Sequence, residues 1–494
     1  MLGAGGVGEE ITVGGRTGTP LWWAVRATAE YNGEYRSTPF QRARSVELAM
    51  HLVEQGADVH AVGSVGAGRA NTPLWWAARA VYEGMAGAAE LATLLVEKGA
   101  DVNAVGTDKV GYSCTPLLWA ARAVHDGMPG GLELATLLVE NGADLDAVGG
   151  HDGIGQTTPL WWAAWAVCDG MAGGLEMATL LVEQGAYVDA DGTDGRSSGI
   201  LLWWAAQAVF NGRAGTVELA TLLVEQGADV DAVGQGWGRV SGTPLWWAAQ
   251  AVRHGKVGGL ELATLLVEQG ADVDAVGWDE DGRESTPLWW AAQAVFNGRA
   301  GAAELATLLV EQGADVDAIG SYRDSDWSTP LWWAAEAVRD NKADGPELAR
   351  LLISAGASLA DSEKEEYQGI VDELQRSLLS LTLKENTSTS LTVSWPGHHR
   401  GARGYTVSLE LPGGNTMSSA PLTSTASEYT FEEGLVAQMK YKLHVTAWDS
   451  AESDGRELTQ GPVASFVTGG ADRGNIIAVG RCQLKLQCMK CPSS

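Results

Sequence analysis

Residues 286–320 read TPLWWAAQAVFNGRAGAAELATLLVEQGADVDAIG, and related stretches recur along most of the chain. From the second copy onward, successive starts are separated by 43 residues, with one interval of 42 before the fifth copy. A fixed period of this size is typical of a stacked repeat array, in which neighbouring repeats complete one another's core. The eight copies begin at Thr19, Thr72, Thr115, Thr158, Ile200, Thr243, Thr286 and Thr329.

The first half of each copy predicts a short helix. Thr286 is a suitable N-cap because its hydroxyl accepts a hydrogen bond from a first-turn amide, and Pro287 suits the first helical position. The apolar residues that follow recur at helical spacing and predict one buried face, made of Leu288, Ala291, Ala292 and Val295.

The second half predicts another helix. Asn297-Gly298 and Gly301 turn the chain, and the second helix starts near Glu304. Gly313 stands where a left-handed C-terminal cap belongs. The predicted buried residues of this helix are Leu305, Leu308 and Leu309.

TPLWWAA and ELATLLVEQGADVDA resemble the two helices of the ankyrin repeat. The resemblance implies a mainly α fold, a solenoid of helix hairpins with long projecting loops, and a protein-binding role. Two features depart from the family. The period is about ten residues longer than the usual 33. Trp stands where the family has His, so the hydrogen bonds of that His are not expected here; the positions are Trp75, Trp161, Trp203, Trp246, Trp289 and Trp332.

The chain of 494 residues is acidic, with 62 Asp and Glu against 33 Lys and Arg and a net charge of −29. DNA and RNA binding needs cations that neutralise phosphates, so this balance argues against nucleic-acid partners. It fits a protein partner with a basic surface, or simply colloidal solubility. Five cysteines, no secretory leader pattern and no apolar run of about 20 residues predict a cytoplasmic protein with no integral membrane segment.

The segments before each Thr-Pro, called fingers below, differ between copies, whereas the helices repeat nearly verbatim. A constant scaffold with variable loops is typical of a recognition surface, and drift in unconstrained loops is the alternative. The last residue of each first helix varies too. The predicted partner-binding residues are of types enriched at interfaces or able to pair charge: Lys109, Tyr112, Trp237, Arg239, Trp278, Tyr322, Arg323 and Trp327.

The Trp-Trp pairs predict core or inter-repeat packing. A base-stacking platform is the alternative, but it needs a cationic groove that this acidic chain does not offer. Buried indole N–H groups would still need hydrogen-bond acceptors.

Metal and catalytic motifs are incomplete. Asp279, Asp281 and Gly282 resemble the start of a calcium loop, but the glycine comes too early and no bidentate Glu follows. Three tail thiols without a nearby His do not complete a zinc site. Phosphate-loop, serine-hydrolase and zinc-protease motifs do not occur. We therefore predict no catalytic residue, no cofactor and no bound metal.

After the array the composition changes. Residues 361–380 predict an amphipathic helix that closes the array, and residues 381–469 alternate apolar and polar types in short runs. This latter segment resembles a fibronectin type III domain, a small all-β sandwich. Trp395 and Tyr405 resemble its buried aromatic pair, and Leu435 and Tyr441 resemble its tyrosine corner.

The sequence thus predicts a Gly-rich start with the first finger (1–18), eight repeats (19–360), a capping helix (361–380), a fibronectin-like domain (381–469) and a flexible tail with cysteines (470–494). The predicted function is a non-catalytic scaffold or adaptor that binds proteins through its fingers and inner helices. The alternative is a structural spacer or a targeting subunit, such as a ubiquitin-ligase substrate receptor, that presents the C-terminal domain.

Overall fold

A computed structural model places much of the chain. It describes residues 8–13, 16–29, 39–66, 69–107, 113–151, 154–193, 197–236, 240–323, 326–378, 382–386, 391–395, 403–411, 416–420, 422–423, 426–431, 435, 440–448, 457–460 and 464–467. The chain divides into two compact units, Met1–Ala291 with Arg299–Gln312 and Ala292–Gly298 with Gly313–Ser494. None of the described helices is long and apolar enough to cross a membrane.

The first unit is built from helix pairs, as the sequence predicts. The first helix of a repeat packs on its own second helix and on the first helix of the next repeat, for example α5 with α6 and α7. Helix α13 is divided between the two units. The helices are α1 (Pro20–Ala29), α2 (Pro39–Glu54), α3 (Pro73–Tyr82), α4 (Ala88–Glu97), α5 (Pro116–His125), α6 (Gly131–Glu140), α7 (Pro159–Asp169), α8 (Gly174–Glu183), α9 (Leu201–Phe210), α10 (Thr216–Glu225), α11 (Pro244–Arg253), α12 (Gly259–Glu268), α13 (Pro287–Phe296) and α14 (Ala302–Glu311).

The predicted caps are confirmed. The Thr286 hydroxyl accepts a hydrogen bond from the Trp289 amide at 3.3 Å, and proline follows as the first helical residue. Gly313 has φ +88°, the left-handed conformation that a helix C-terminal turn requires. The fifth copy differs because Ile200 has no side-chain oxygen, and its helix starts without a side-chain cap.

The fingers are predicted as loops, but in the structure they are short antiparallel hairpins. Strands of two to four residues are too short to show a period of two in the sequence, which is why pattern analysis misses them. In the first unit the strands are β1 (Ile11–Val13), β2 (Arg16–Gly18), β3 (Gly63–Gly66), β4 (Arg69–Asn71), β5 (Gly106–Thr107), β6 (Ser113–Cys114), β7 (Gly149–His151), β8 (Ile154–Thr157), β9 (Asp191–Thr193), β10 (Ser198–Ile200), β11 (Gly234–Gln235), β12 (Ser241–Gly242), β13 (Gly277–Trp278) and β14 (Glu284–Ser285).

Neighbouring fingers also pair with one another. Strands β1–β4 form one sheet in chain order, and β9–β14 form a six-stranded sheet that joins three successive fingers. Within that sheet, β10 meets β11 through Ser198 and Gln235, and β12 meets β13 through Ser241 and Trp278. The fingers of these repeats are therefore a continuous surface of paired backbone.

The second unit begins with the last helix pair, α15 (Pro330–Arg339) and α16 (Gly345–Ser354), and the hairpin of β15 (Gly320–Arg323) and β16 (Asp326–Ser328). Helix α17 (Asp361–Leu378) packs on both α15 and α16. Its buried residues Tyr367, Val371 and Leu374 lie at helical spacing, as an amphipathic helix requires. Glu363 Oε1 accepts from the Thr329 amide at 3.0 Å, which ties α17 to the start of α15.

The C-terminal part of this unit consists of small β-sheets. One sheet has the order β17–β18–β22, and in the other β19 pairs with β20, β21 and β23, while β23 also pairs with β24 and β25. The strands are β17 (Thr382–Asn386), β18 (Leu391–Ser394), β19 (Gly404–Glu410), β20 (Thr416–Ser418), β21 (Leu422–Thr423), β22 (Glu428–Phe431), β23 (Lys440–Trp448), β24 (Glu457–Gln460) and β25 (Ala464–Val467). Their core contains Leu391, Val393, Trp395, Tyr405, Val407, Leu409, Phe431, Leu443, Val445 and Ala447.

Candidate functional site

In four repeats the first Trp of the pair connects its repeat to the next finger. The ring is buried, and the indole N–H donates to an acceptor just before the next first helix. In this way the Trp indole supplies an inter-repeat hydrogen bond at the position where the family has His, which sequence reasoning did not anticipate. The bonds are Trp22 to Asn71 O (2.7 Å), Trp75 to Cys114 O (2.9 Å), Trp203 to Gly242 O (2.9 Å) and Trp246 to Ser285 Oγ (3.2 Å).

These rings also fix where each finger begins. In four fingers the first strand starts at a glycine that lies against the preceding Trp ring, namely Gly63, Gly106, Gly234 and Gly277. A methyl group on Gly106 would lie 2.5 Å from Trp75 Cδ1, and one on Gly277 would lie 2.6 Å from Trp246 Cε2. Real Cβ atoms do not approach a ring so closely. The large Trp ring therefore fits only because the facing residue is glycine.

The second Trp of each pair contacts the variable residue of the preceding repeat. The ring of Phe210 lies 5.2 Å from that of Trp247, and the Arg253 guanidinium lies 4.4 Å from the Trp290 ring centre. Tyr82 with Trp119 (5.1 Å) and His125 with Trp162 (5.3 Å) follow the same rule. Variation at the end of the first helix is thus accommodated by packing between repeats.

Three buried or half-buried arginines lie among the Trp rings of the first repeats, at equivalent helix positions: Arg26, Arg79 and Arg122. The Arg122 guanidinium lies 4.5 Å from the Trp119 ring centre and 4.6 Å from that of Tyr82. Such cation–π contacts compensate part of the cost of removing a cation from water.

A ladder of side chain to backbone hydrogen bonds runs beside the fingers. The amide of Asp272 donates to Asp231 Oδ1 at 2.8 Å, and the amide of Asp229 donates to Asp189 Oδ1 at 2.9 Å. Asn103 serves in the same way for the amide of Asp144 at 2.7 Å. Each bond joins successive repeats, so the ladder sets the spacing between fingers.

On this framework an aliphatic side chain is exposed just before the first strand of most fingers. The exposed fractions in the first unit are 54% for Val62, 61% for Val105, 53% for Val148, 62% for Val233 and 36% for Val276. In the fourth copy Asp191 takes this position and is also exposed. We call these five valines together with Trp278, which is 42% exposed on β13, the finger surface.

A cavity of about 480 Å³ lies among the fingers in the first unit. Among the described residues that line it, Asp191 carries a charge and the others are neutral. The lining residues are Gln156, Asp191, Gly192, Ser198, Gly199, Val233, Gln235 and Ser241.

Of the predicted partner-binding residues, Trp278 and Trp327 are exposed, by 42% and 47%, on β13 and β16 respectively. Tyr322 and Arg323 belong to β15, but their side chains lie outside the described part of the structure. Four predicted residues lie wholly outside the described residues: Lys109, Tyr112, Trp237 and Arg239.

The exposed valines are the residues that sequence reasoning missed. Their signal is the Ala-Val-Gly that recurs before five of the fingers. A repeated β-branched residue normally indicates core, so the pattern alone does not reveal that these side chains face solvent.

The aspartates that resemble a calcium loop form a turn instead. Asp279 Oδ1 accepts hydrogen bonds from the amides of Asp281 (3.0 Å) and Arg283 (2.9 Å). The Arg283 guanidinium in turn forms ion pairs with Asp279 and Asp281.

Comparison with known proteins gives one family. The model of the ankyrin repeat matches residues 70–107, 112–150, 156–193, 242–278 and 283–321. The copy that starts at Ile200 is not among these segments, although its helices take the same positions. A search of curated proteins found no match.

Among solved structures, one titled "Myokine structure" is 17% identical and covers 19% of this chain and 95% of its own, with a TM-score of 0.15. The family match, and the helix hairpins observed at the same residues, lead to one conclusion: this chain contains five ankyrin repeats, modules of protein–protein interaction.

Proposed function

We propose that the chain is a non-catalytic scaffold or adaptor that binds protein partners through the finger surface. The observation that carries this proposal is the row of exposed valines. Each contributes an apolar side chain at the same place in its repeat, with 36–62% of its surface exposed. Apolar side chains that recur in one place on a surface favour an interaction site over random exposure.

The rigidity of the finger bases supports this proposal. Association loses less free energy to ordering when the binding groups are already fixed. The Trp rings, the facing glycines and the Asp ladder hold each valine in place by contacts with a neighbouring repeat. A partner therefore meets a preformed surface.

The charges suggest the chemistry of the partner. The chain carries −29 overall, so a partner with basic residues around an apolar segment approaches favourably. Asp191 interrupts the valine row beside the cavity that Gln156, Gln235 and Ser241 line. We infer that a cationic or hydrogen-bonding group of the partner enters there.

We further propose that residues 381–469 form a fibronectin type III-like module that serves as a second docking unit. Trp395 and Tyr405 lie in one core with ring centres 5.9 Å apart, in line with the proposed aromatic pair. Leu435 is half-buried, and the side chain of Tyr441 lies outside the described part of the structure.

Site-specific photo-cross-linking tests the proposal. A photoreactive amino acid is placed at Val105, Val233 or Trp278, and at Met171 as an exposed control away from the fingers. The proposal predicts one protein cross-linked from the three finger positions and not from Met171. A further probe at the exposed Lys384 of β17 tests the alternative, because a cross-link from that position alone would favour the spacer, in which the repeats only present the C-terminal region.

A further inference from the structure

The charge of the turn between the two helices of a repeat changes from negative to positive along the chain. In the second, third and fourth copies they read Glu83-Gly-Met85, Asp126-Gly-Met128 and Asp169-Gly-Met171. In the next three copies they read Asn211-Gly-Arg213, His254-Gly-Lys256 and Asn297-Gly-Arg299. Two positions change together, from an acid with a methionine to a neutral residue with a base. Drift of a single position does not explain a paired change that persists over three copies.

The acids of the earlier turns have partners within the protein. Glu83 pairs with Arg79 at 3.2 Å, and His125 lies between Asp126 (2.7 Å) and Asp169 (3.3 Å). These carboxylates are therefore occupied by local contacts.

The bases of the later turns are different. Arg213, Lys256 and Arg299 are exposed, and none of them forms an ion pair within the part of the chain that the structure describes. The second helices of these three repeats do carry a Glu in the first turn, namely Glu218, Glu261 and Glu304. That Glu also occurs in the earlier repeats, so it does not account for the change of sign.

The three bases occupy the same position in successive turns, and Lys256 and Arg299 each reach over the turn of the preceding repeat. A methyl group on Gly212 would lie 3.6 Å from Lys256 Cδ, and one on Gly255 would lie 3.5 Å from Arg299 Cδ. We call Arg213, Lys256 and Arg299 the basic turn column. It follows the C-terminal ends of the first helices, whereas the fingers precede their N-termini, about 15 Å away along a ten-residue helix.

Two neighbours show the character of this surface. Burial and the nearby charges of Arg253, Lys256 and Arg299 lower the pKa of His254, which indicates a positive potential at the column. Val257, beside Lys256, is 94% exposed and offers an apolar side chain to a binding partner.

We propose that the basic turn column binds a short acidic peptide segment of a partner protein, with an apolar side chain of that segment against Val257. Exposed ion pairs contribute only about 0.2–1 kcal/mol each, so the apolar contact is needed for stable binding. A peptide fits better than a nucleic acid, because the charge of −29 repels a long polyanion that extends beyond three cations. This second site goes beyond the proposed function and uses none of the finger residues.

The test is fluorescence anisotropy of the full chain with a labelled glutamate–leucine peptide, a lysine–leucine peptide and single-stranded DNA. The proposal predicts that the glutamate–leucine peptide binds most tightly. Replacing Arg213, Lys256 and Arg299 by Ala should weaken it about tenfold, the sum of three exposed ion pairs. Lys98→Ala, at an exposed base on another repeat, should leave it unchanged. Equal binding by the triple variant, or tighter binding of DNA, overturns the proposal.

A second variant tests the same idea by gain of binding. Changing Asp126 and Asp169 to Asn and Met128 and Met171 to Arg gives two earlier turns the pattern of the later ones. The column then has more cations, and the peptide should bind more tightly. Unchanged or weaker binding by this variant, with the fold retained, contradicts the column. Finger-surface variants should not alter binding of this peptide, so the two proposals fail separately.

Discussion

The indole N–H of Trp75 donates to the backbone carbonyl of Cys114, 2.9 Å away and 39 residues further along the chain. Cys114 ends the second strand of the next finger, so one side chain fixes both the packing of its own helix and the position of a neighbouring hairpin. The same relationship recurs in three other repeats with acceptors before the next first helix. The indole hydrogen bond therefore couples the packing of a repeat to the position of the next finger.

Trp203→Phe tests this coupling. Phenylalanine keeps most of the apolar contact but leaves the buried carbonyl of Gly242 without its 2.9 Å donor. We expect a loss of about 1–3 kcal/mol in the free energy of unfolding. Urea denaturation followed by circular dichroism measures it, with Trp278→Phe as a control on an exposed ring. Equal stability of the two variants would show that the indole bond contributes nothing.

Gly277→Ala tests the matched ring and glycine. The new methyl group would lie 2.6 Å from the Trp246 ring, so ring or strand must move. Overpacking of this kind costs about 1–3 kcal/mol. Gly369→Ala is the control, because nothing lies within 4 Å of a methyl group there. In an exposed helix that change should stabilise the protein by roughly 0.5–1 kcal/mol. If Gly277→Ala leaves the free energy of unfolding unchanged, Gly277 does not lie as close to the Trp246 ring as described.

Much of this architecture is readable from the sequence, because it depends on local signals. Thr286 and Pro287 mark a helix start, Gly313 marks a helix end, and the apolar spacing gives the buried faces. The second helix, predicted from about Glu304, begins at Ala302. Such small differences are normal where a turn glycine leads directly into a helix.

The finger surface was less predictable, for a physical reason. Strands of two to four residues are too short to show a period in the sequence, and in the sheet of β9–β14 the fingers also pair with neighbours about 40 residues away, which no local pattern encodes. Val105 and Val233 look like core residues in the sequence, yet the adjacent glycine holds the strand against a Trp ring and leaves the valine side chain in solvent. Trp278, one of the predicted partner-binding residues, is 42% exposed, and its role in binding stays a prediction.

Arg122→Met tests the cation–π contacts. Methionine preserves an unbranched stem but removes the guanidinium that lies 4.5 Å from Trp119 and 5.3 Å from Trp162. We expect a loss of about 1–2 kcal/mol, since this cation is largely desolvated. Thermal or urea unfolding checks the value, with the exposed Arg213→Met as the matched change. If Arg122→Met is more stable than the unaltered protein, the free-energy cost of burying the cation exceeds the stabilisation from its contacts with the rings.

The titration of His254 tests the potential at the basic turn column. Burial, and then Arg253, Lys256 and Arg299, lower its pKa, because positive neighbours disfavour the imidazolium. Removing two of these charges in Lys256→Ala with Arg299→Ala should therefore raise the pKa of His254. Proton NMR of the imidazole across the pH range measures the change, and Lys98→Ala serves as the control. A pKa that stays constant or falls would show that the column exerts no such field.

The most direct test of the central claim is the affinity of the cross-linked partner for the finger surface, measured by isothermal titration calorimetry. The variant combines Val233→Asp and Val276→Asp. Because Asp191 already stands at the equivalent position of the fourth copy, we expect the fold to persist. The affinity should fall by about tenfold or more, as expected when apolar contacts worth at least about 1.4 kcal/mol are lost. Met171→Asp places one new negative charge away from the fingers, the same change of charge as Val233→Asp alone, and should have little effect. Unchanged affinity in the double variant, with the unfolding midpoint retained, would contradict a binding role for the finger surface.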